Sequence, residues 1–172
     1  AVQALTRAGD EAIVLDPCYD SYEPAVELAG GRCVHVPLNL PDFSVDWQRL
    51  SDAINERTRL IFINSPHNPS GALLSLERRK KVLELAVQYQ TTIVEDDPYG
   101  DLYFGDAPPP PSLLALSASV PGSRELLIHC GSLSKVLSPG LRVGWMVASA
   151  ALLANATMCK QFSDAHTSTF AQ

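Results

Sequence analysis

Gly131-Ser132-Leu133-Ser134-Lys135, followed by Ser138-Pro139-Gly140-Leu141-Arg142-Val143-Gly144-Trp145, is the stretch on which the reading of the chain turns. One lysine stands between small hydroxyl residues, and one arginine follows on the far side of Pro139-Gly140. That pair breaks any helix, so Lys135 and Arg142 do not share a simple helical face. A short apolar strand, Leu126-Leu127-Ile128, leads in, and Val143 to Ala148 leads out. So close to two apolar strands, Lys135 is expected to be partly desolvated. Desolvation lowers a lysine pKa and frees the neutral amine as a nucleophile. Ser132, Ser134, backbone N–H groups and the Arg142 guanidinium form a cradle for a phosphate.

Outward from this stretch, the chain alternates strands and helices. Ala12-Ile13-Val14-Leu15, Cys33-Val34-His35-Val36, Arg59 to Asn64, Thr92-Ile93-Val94, Glu125 to His129 and Arg142 to Ala148 read as strands. Several are continuous apolar runs, as expected of strands buried on both faces. Between them, Tyr19 to Ala29, Asp46 to Asn55, Leu76 to Tyr89 and Ala150 to Asp164 read as helices. Gly30-Gly31 stops the first of these, and Ser75 caps the third. Ala1 to Thr6 reads as the tail of another helix, and Gly105 to Ser112, with its four prolines, as a stiff loop. The order gives an α/β fold with a mostly parallel sheet. Too few residues separate the last two strands for a crossover helix, so the final strand is expected to run antiparallel.

Ligands of open α/β sheets sit at the carboxyl ends of the strands. Asp16, the loop from Asn64 to Gly71, Glu95 to Tyr99 and Gly131 to Lys135 all fall there. Composition narrows the class. The 172 residues suffice for one sizeable domain, and a formal charge of −6 with interspersed signs argues against a nucleic-acid surface. No apolar run reaches the roughly 18–20 residues of a membrane helix. Cys18, Cys33, Cys130 and Cys159 are widely spaced and read as thiols in a reducing, cytoplasmic compartment. His35, His67, His129 and His166 form no recognisable metal pattern, and no metal is expected. The chain opens on Ala1-Val2-Gln3 and closes on Phe170-Ala171-Gln172 without start or stop signals, so it is expected to be a piece of a longer protein.

A lysine suited to a Schiff base beside a phosphate cradle points to pyridoxal 5'-phosphate. The run from Gly131 through Trp145 resembles the cofactor-lysine motif of the class I/II aminotransferases, the fold-type I pyridoxal-phosphate enzymes. Asn64 to Gly71 and Glu95 to Tyr99 match two further motifs in the family's order. The resemblance implies a three-layer α/β sandwich, with residues 1–172 forming part of the large cofactor-binding domain. The family's first phosphate-binding loop and its small C-terminal domain, which carries the substrate-carboxylate arginine, would lie outside the chain.

The resemblance also assigns roles. Lys135 would carry the cofactor as a Schiff base. A carboxylate opposite the ring nitrogen keeps that nitrogen protonated, which the cofactor needs to act as an electron sink. Glu95-Asp96-Asp97 offers three candidates; the family's Asp-x-x-Tyr pattern selects Asp96 with Tyr99, because Asp97 would put Gly100 at the tyrosine position. Asn68 and Tyr99 would bond the ring hydroxyl oxygen. Ser132, Ser134 and Arg142 would bind the phosphate, where a bidentate arginine has no lysine equivalent. Tyr19 matches the aromatic that stacks on the ring, although an aromatic there serves equally as core.

Asp16 to Gly71 looks most like methionine and kynurenine aminotransferases. Glu95 to Tyr99 and Lys160 to Gln172 look more like the 2-aminoadipate branch, which includes winged-helix transcription regulators. The implied function is amino transfer between an amino acid and a 2-oxo acid, by a homodimer acting on neither nucleic acid nor membrane. The alternatives are an aminotransferase-like effector domain of a regulator and a β-lyase or decarboxylase of the same fold.

Overall fold

A computed structural model describes residues 1–106 and 108–172. The proline loop expected from Gly105 to Ser112 is irregular where described, and its Ala107 lies outside the described residues. Strands β1 (Glu11–Asp16), β2 (Arg32–Pro37), β3 (Thr58–Asn64), β4 (Thr92–Asp96), β5 (Leu127–Ser132) and β6 (Gly144–Val147) form one sheet in the order β2-β1-β3-β4-β5-β6. Every neighbouring pair is parallel except β5 with β6, which is antiparallel. The α/β sandwich and its one antiparallel strand are therefore as expected.

Helices α1 (Val2–Leu5) and α2 (Tyr22–Leu28) lie on one face of the sheet, and α3 (Trp47–Ala53), α4 (Leu76–Tyr89) and α5 (Leu113–Leu116) on the other. The strands alternate between two cores. Ile13, Leu15, Ile61, Ile63 and Ile93 pack with Leu50 of α3, Val82, Leu83 and Ala86 of α4, and Leu113 of α5. Ala12, Val14, Leu60, Phe62 and Val94 pack with Tyr22 and Val26 of α2. This two-residue period is that of any strand, and here both faces are apolar because both are covered. A last helix, α6 (Ala150–Asp164), rests on α1 and contributes no buried residue.

The chain leaves β1 toward β2 and then returns to pair β3 on the other side of β1, so the strand order reverses there. A crevice at the carboxyl end of such a switch is where ligands bind. At the opposite end, the carboxylate of Glu11 is buried against Arg32 (2.7 Å), Arg57 (2.8 Å) and Asn55 (2.7 Å), so its charge is compensated.

Several boundaries differ from expectation. Helix α2 begins at Tyr22, not Tyr19, because Pro17 to Ser21 is spent carrying the chain from the carboxyl end of β1 onto the face of the sheet. Strand β5 begins at Leu127 and continues to Ser132, since Ser123–Leu126 is a 3-10 turn. Helix α5 and the short turns after it were not anticipated. Gly131 lies directly under the Trp145 indole, and a Cβ there would fall inside the ring carbons. Gly131→Ala is expected to destabilise the chain by about 1–3 kcal/mol, measured by chemical denaturation. In a Trp145→Ala background the cost should largely disappear, because the clash goes with the ring.

Candidate active site

Tyr19, Asn68, Asp96, Tyr99, Ser132, Ser134, Lys135 and Arg142 all line one cavity of about 440 Å³, together with Asn64, Pro98 and Pro139. It lies at the carboxyl ends of β1, β3, β4 and β5. The first residues come from loops after strands, whereas Asp96 and Ser132 are themselves the last residues of β4 and β5.

Asp96 is held on three sides. Its carboxylate Oδ2 accepts the Tyr22 hydroxyl at 2.6 Å, and its backbone oxygen accepts Nδ2 of Asn64 at 2.8 Å. The next residue, Asp97, donates its N–H to the Cys130 carbonyl at 2.9 Å. Burial pushes the Asp96 carboxyl above its ordinary range, and the Tyr22 hydrogen bond partly opposes this. Tyr22 is itself pushed well above the usual phenol range by burial and by the Asp96 charge, so it keeps its proton and donates. Its ring stacks on Phe62, with centroids 4.5 Å apart, and meets the edge of Tyr19 at 5.5 Å. Burial pushes the Cys18 and Cys130 thiols up to about 11, so neither offers a thiolate nucleophile near neutral pH.

Strand alternation sets Asp96 apart from Glu95 and Asp97. Asp96 faces Tyr22, while Glu95 points through the other face and is 1% exposed. Glu95 accepts from the N–H groups of Leu113 (2.6 Å) and Leu114 (3.2 Å), from His129 Nδ1 (2.8 Å), and lies 3.5 Å from Arg79. It thereby caps α5 from a strand and satisfies donors that a helix start leaves free. Glu95 raises the His129 pKa through that bond. Asp97 is raised mainly by burial and then by the Glu95 charge. Glu95, Asp97 and His129 hold potential metal-ligating atoms within 4.8 Å of one another, but Arg79 already supplies positive charge there.

Lys135 departs from expectation. It is exposed, on a turn that closes with Leu137 N–H to Leu133 O at 2.9 Å, beyond the end of β5. The flanking strands stop short of it, so the expected desolvation is absent. Its Nζ lies 5.5 Å from the centre of the Tyr99 ring, a cation–π contact that keeps the amine at the cavity. Ser132 Oγ accepts the Ser134 N–H at 3.1 Å and lies 3.0 Å from Ser134 Oγ, which gathers both hydroxyls at one spot. Arg142 adopts a left-handed backbone (φ 53°) after the 3-10 turn Pro139–Leu141, and its Nη1 donates to the Pro139 carbonyl at 3.0 Å.

The roles of two contributors, Tyr22 and Asn64, are not given by the sequence. Tyr22 lies one turn beyond Tyr19 and was read as an ordinary helix residue; its reach to Asp96 depends on pairing across the sheet. Asn64 falls in the loop that the sequence places at the ligand-binding rim, but it carries no role of its own there. Tyr22→Phe is expected to raise the Asp96 titration midpoint further, followed by NMR of the carboxyl carbon. The lost bond should also cost about 1 kcal/mol of stability. An unchanged midpoint would show that the hydroxyl has no electrostatic hold on Asp96.

Known proteins resemble this chain in sequence and in fold. The family model for aminotransferase class I and II matches residues 1–172. The methionine aminotransferase of Escherichia coli is 35% identical over 166 residues, covering 94% of this chain and 41% of that protein. The 2-aminoadipate transaminase of Thermus thermophilus is 38% identical over 162 residues, covering 92% and 39%. A crystal structure of an Escherichia coli protein with methionine aminotransferase function superposes with a TM-score of 0.89 at 32% identity, over 99% of this chain and 44% of that one. The chain thus spans about two fifths of the length of the curated relatives it matches. Match over the whole chain and likeness of fold together show that it belongs to the class I and II aminotransferases.

Proposed function

We propose that this chain is part of the large cofactor-binding domain of a pyridoxal-phosphate-dependent aminotransferase, acting between an amino acid and a 2-oxo acid. The observation that carries the reading is the convergence of Lys135, Asp96, Asn68, Tyr99 and the Ser132–Ser134 pair on one cavity. The donor set fits the cofactor. Asp96 is an acid whose burial leaves it in want of a cationic partner, and a protonated ring nitrogen is one. The two gathered serine hydroxyls and Arg142 suit a phosphate, and Tyr19 offers a ring face.

Lys135 would hold the cofactor covalently through Nζ. Asp96 would pair with the ring nitrogen, and Asn68 and Tyr99 with the ring hydroxyl oxygen. Bound pyridoxal phosphate supplies an electron sink for the pair left when a substrate Cα loses its proton. The freed Lys135 amine is the group placed to take that proton from Cα and return it elsewhere. Tyr22 and burial keep Asp96 in place while charge shifts at the ring. The small domain and first phosphate loop of a longer protein would complete substrate binding, with a homodimer in the cytoplasm as the working form. The short share of its relatives that this chain covers supports such a division.

Borohydride treatment of the protein with its cofactor tests the assignment. The label should sit on the peptide containing Lys135, and Lys135→Ala should lower glutamate formation from an amino acid and 2-oxoglutarate by at least about 100-fold. Label on Lys80 or Lys160 would overturn the assignment. Sequence-specific DNA binding with no turnover would favour a regulator instead.

A further inference from the structure

We propose that Asn64 is a positioning residue that sets the separation of Asn68 and Asp96, and so governs how the two edges of the cofactor ring are gripped. The inference rests on the proposed cofactor reading. Asn64 ends β3, is 9% exposed, and pairs with Asp96 in the sheet register. Its side chain makes two bonds of opposite sense. Nδ2 donates to the Asp96 carbonyl at 2.8 Å, and Oδ1 accepts the Asn68 N–H at 2.6 Å. One partner is a carbonyl and the other an N–H, so only this amide orientation satisfies both.

The surrounding loop is tied mainly to itself. Gly71 N–H donates to His67 O at 2.7 Å, His67 N–H to Ala72 O at 3.0 Å, and His67 Nδ1 meets Ser70 Oγ at 2.6 Å. Pro69 has no N–H to offer. Among the described residues, Asn64 is the side chain that bonds to the backbone of both Asn68 and Asp96. Asn68 would face the ring hydroxyl and Asp96 the ring nitrogen. A single amide therefore spans the two ring contacts and holds them at one distance. Aspartate reproduces half of this at most. It can accept from Asn68 but turns an oxygen against the Asp96 carbonyl.

Asn64→Asp and Asn64→Ala test the proposal in the cofactor-bound protein, with Asn64→Ser as a further variant should either fail to fold. Three quantities are read: cofactor dissociation, the pH midpoint at which the visible absorption of bound pyridoxal phosphate changes, and the melting temperature of the cofactor-free protein. Release should rise by about 10-fold, and the midpoint should move by on the order of one pH unit, the scale of one hydrogen bond to a charged group. In an Asn68→Ala background, Asn64→Ala should move the midpoint less, because the part of its effect that runs through Asn68 is gone and only the hold on the Asp96 carbonyl remains. A lowered melting temperature with unchanged midpoint and release would reduce Asn64 to a structural role and overturn the proposal. So would an equal midpoint shift with Asn68 already removed. Absence of any visible band in the unmutated protein would overturn the cofactor reading itself, and this proposal with it.

Discussion

The end of β4 imposes the constraint from which the site follows. A strand sends successive side chains to opposite faces. Glu95 and Asp96 are adjacent, so one must enter the core beneath α4 and α5 while the other faces Tyr22 and the cavity. Their surroundings differ accordingly. Glu95 meets two helix N–H groups, His129 and Arg79. Asp96 receives a single side-chain donor. A buried carboxylate is tolerated when paired and hydrogen-bonded. Glu95 is satisfied in place, whereas Asp96 retains acceptor capacity toward the cavity.

This division links stability to chemistry. Glu95 ties α5, β5 and α4 to the strand that carries Asp96, so the segment before the site is anchored from behind. Asn64 and Tyr22 anchor it from the sides. Side chains on strand ends are held more firmly than those on loops, which suits the role proposed for Asp96 at one atom of a ring. Lys135 and Arg142 belong to the other category. Both are exposed, on turns beyond β5, where the proposed cofactor amine of Lys135 has room to move.

Much of this was legible in the residues. The apolar runs of β1 and β3 marked buried strands, and α4 and α6 were read with the boundaries observed. Pro139-Gly140 correctly signalled an antiparallel return. Helix α5 was not legible, because Leu113 to Leu116 is a single turn with no polar face, and its Ser112 cap is supplemented by a glutamate from β4. The exposure of Lys135 was misjudged because nearness in sequence to apolar strands does not bury a turn that projects past their ends. The roles of Tyr22 and Asn64 were not legible because both reach Asp96 on β4, which only the packing of α2 on the sheet and the register of β3 with β4 bring near.

The central proposal, that alternation turns Asp96 and not Asp97 toward the cofactor ring, can be tested at the atom concerned. Nitrogen NMR of pyridoxal phosphate, isotopically labelled at its ring nitrogen and bound to the protein, reports whether that nitrogen is protonated. The account predicts a protonated nitrogen in the unmutated protein and in Asp97→Asn, and loss of the proton in Asp96→Asn. A proton retained in Asp96→Asn but lost in Asp97→Asn would contradict it.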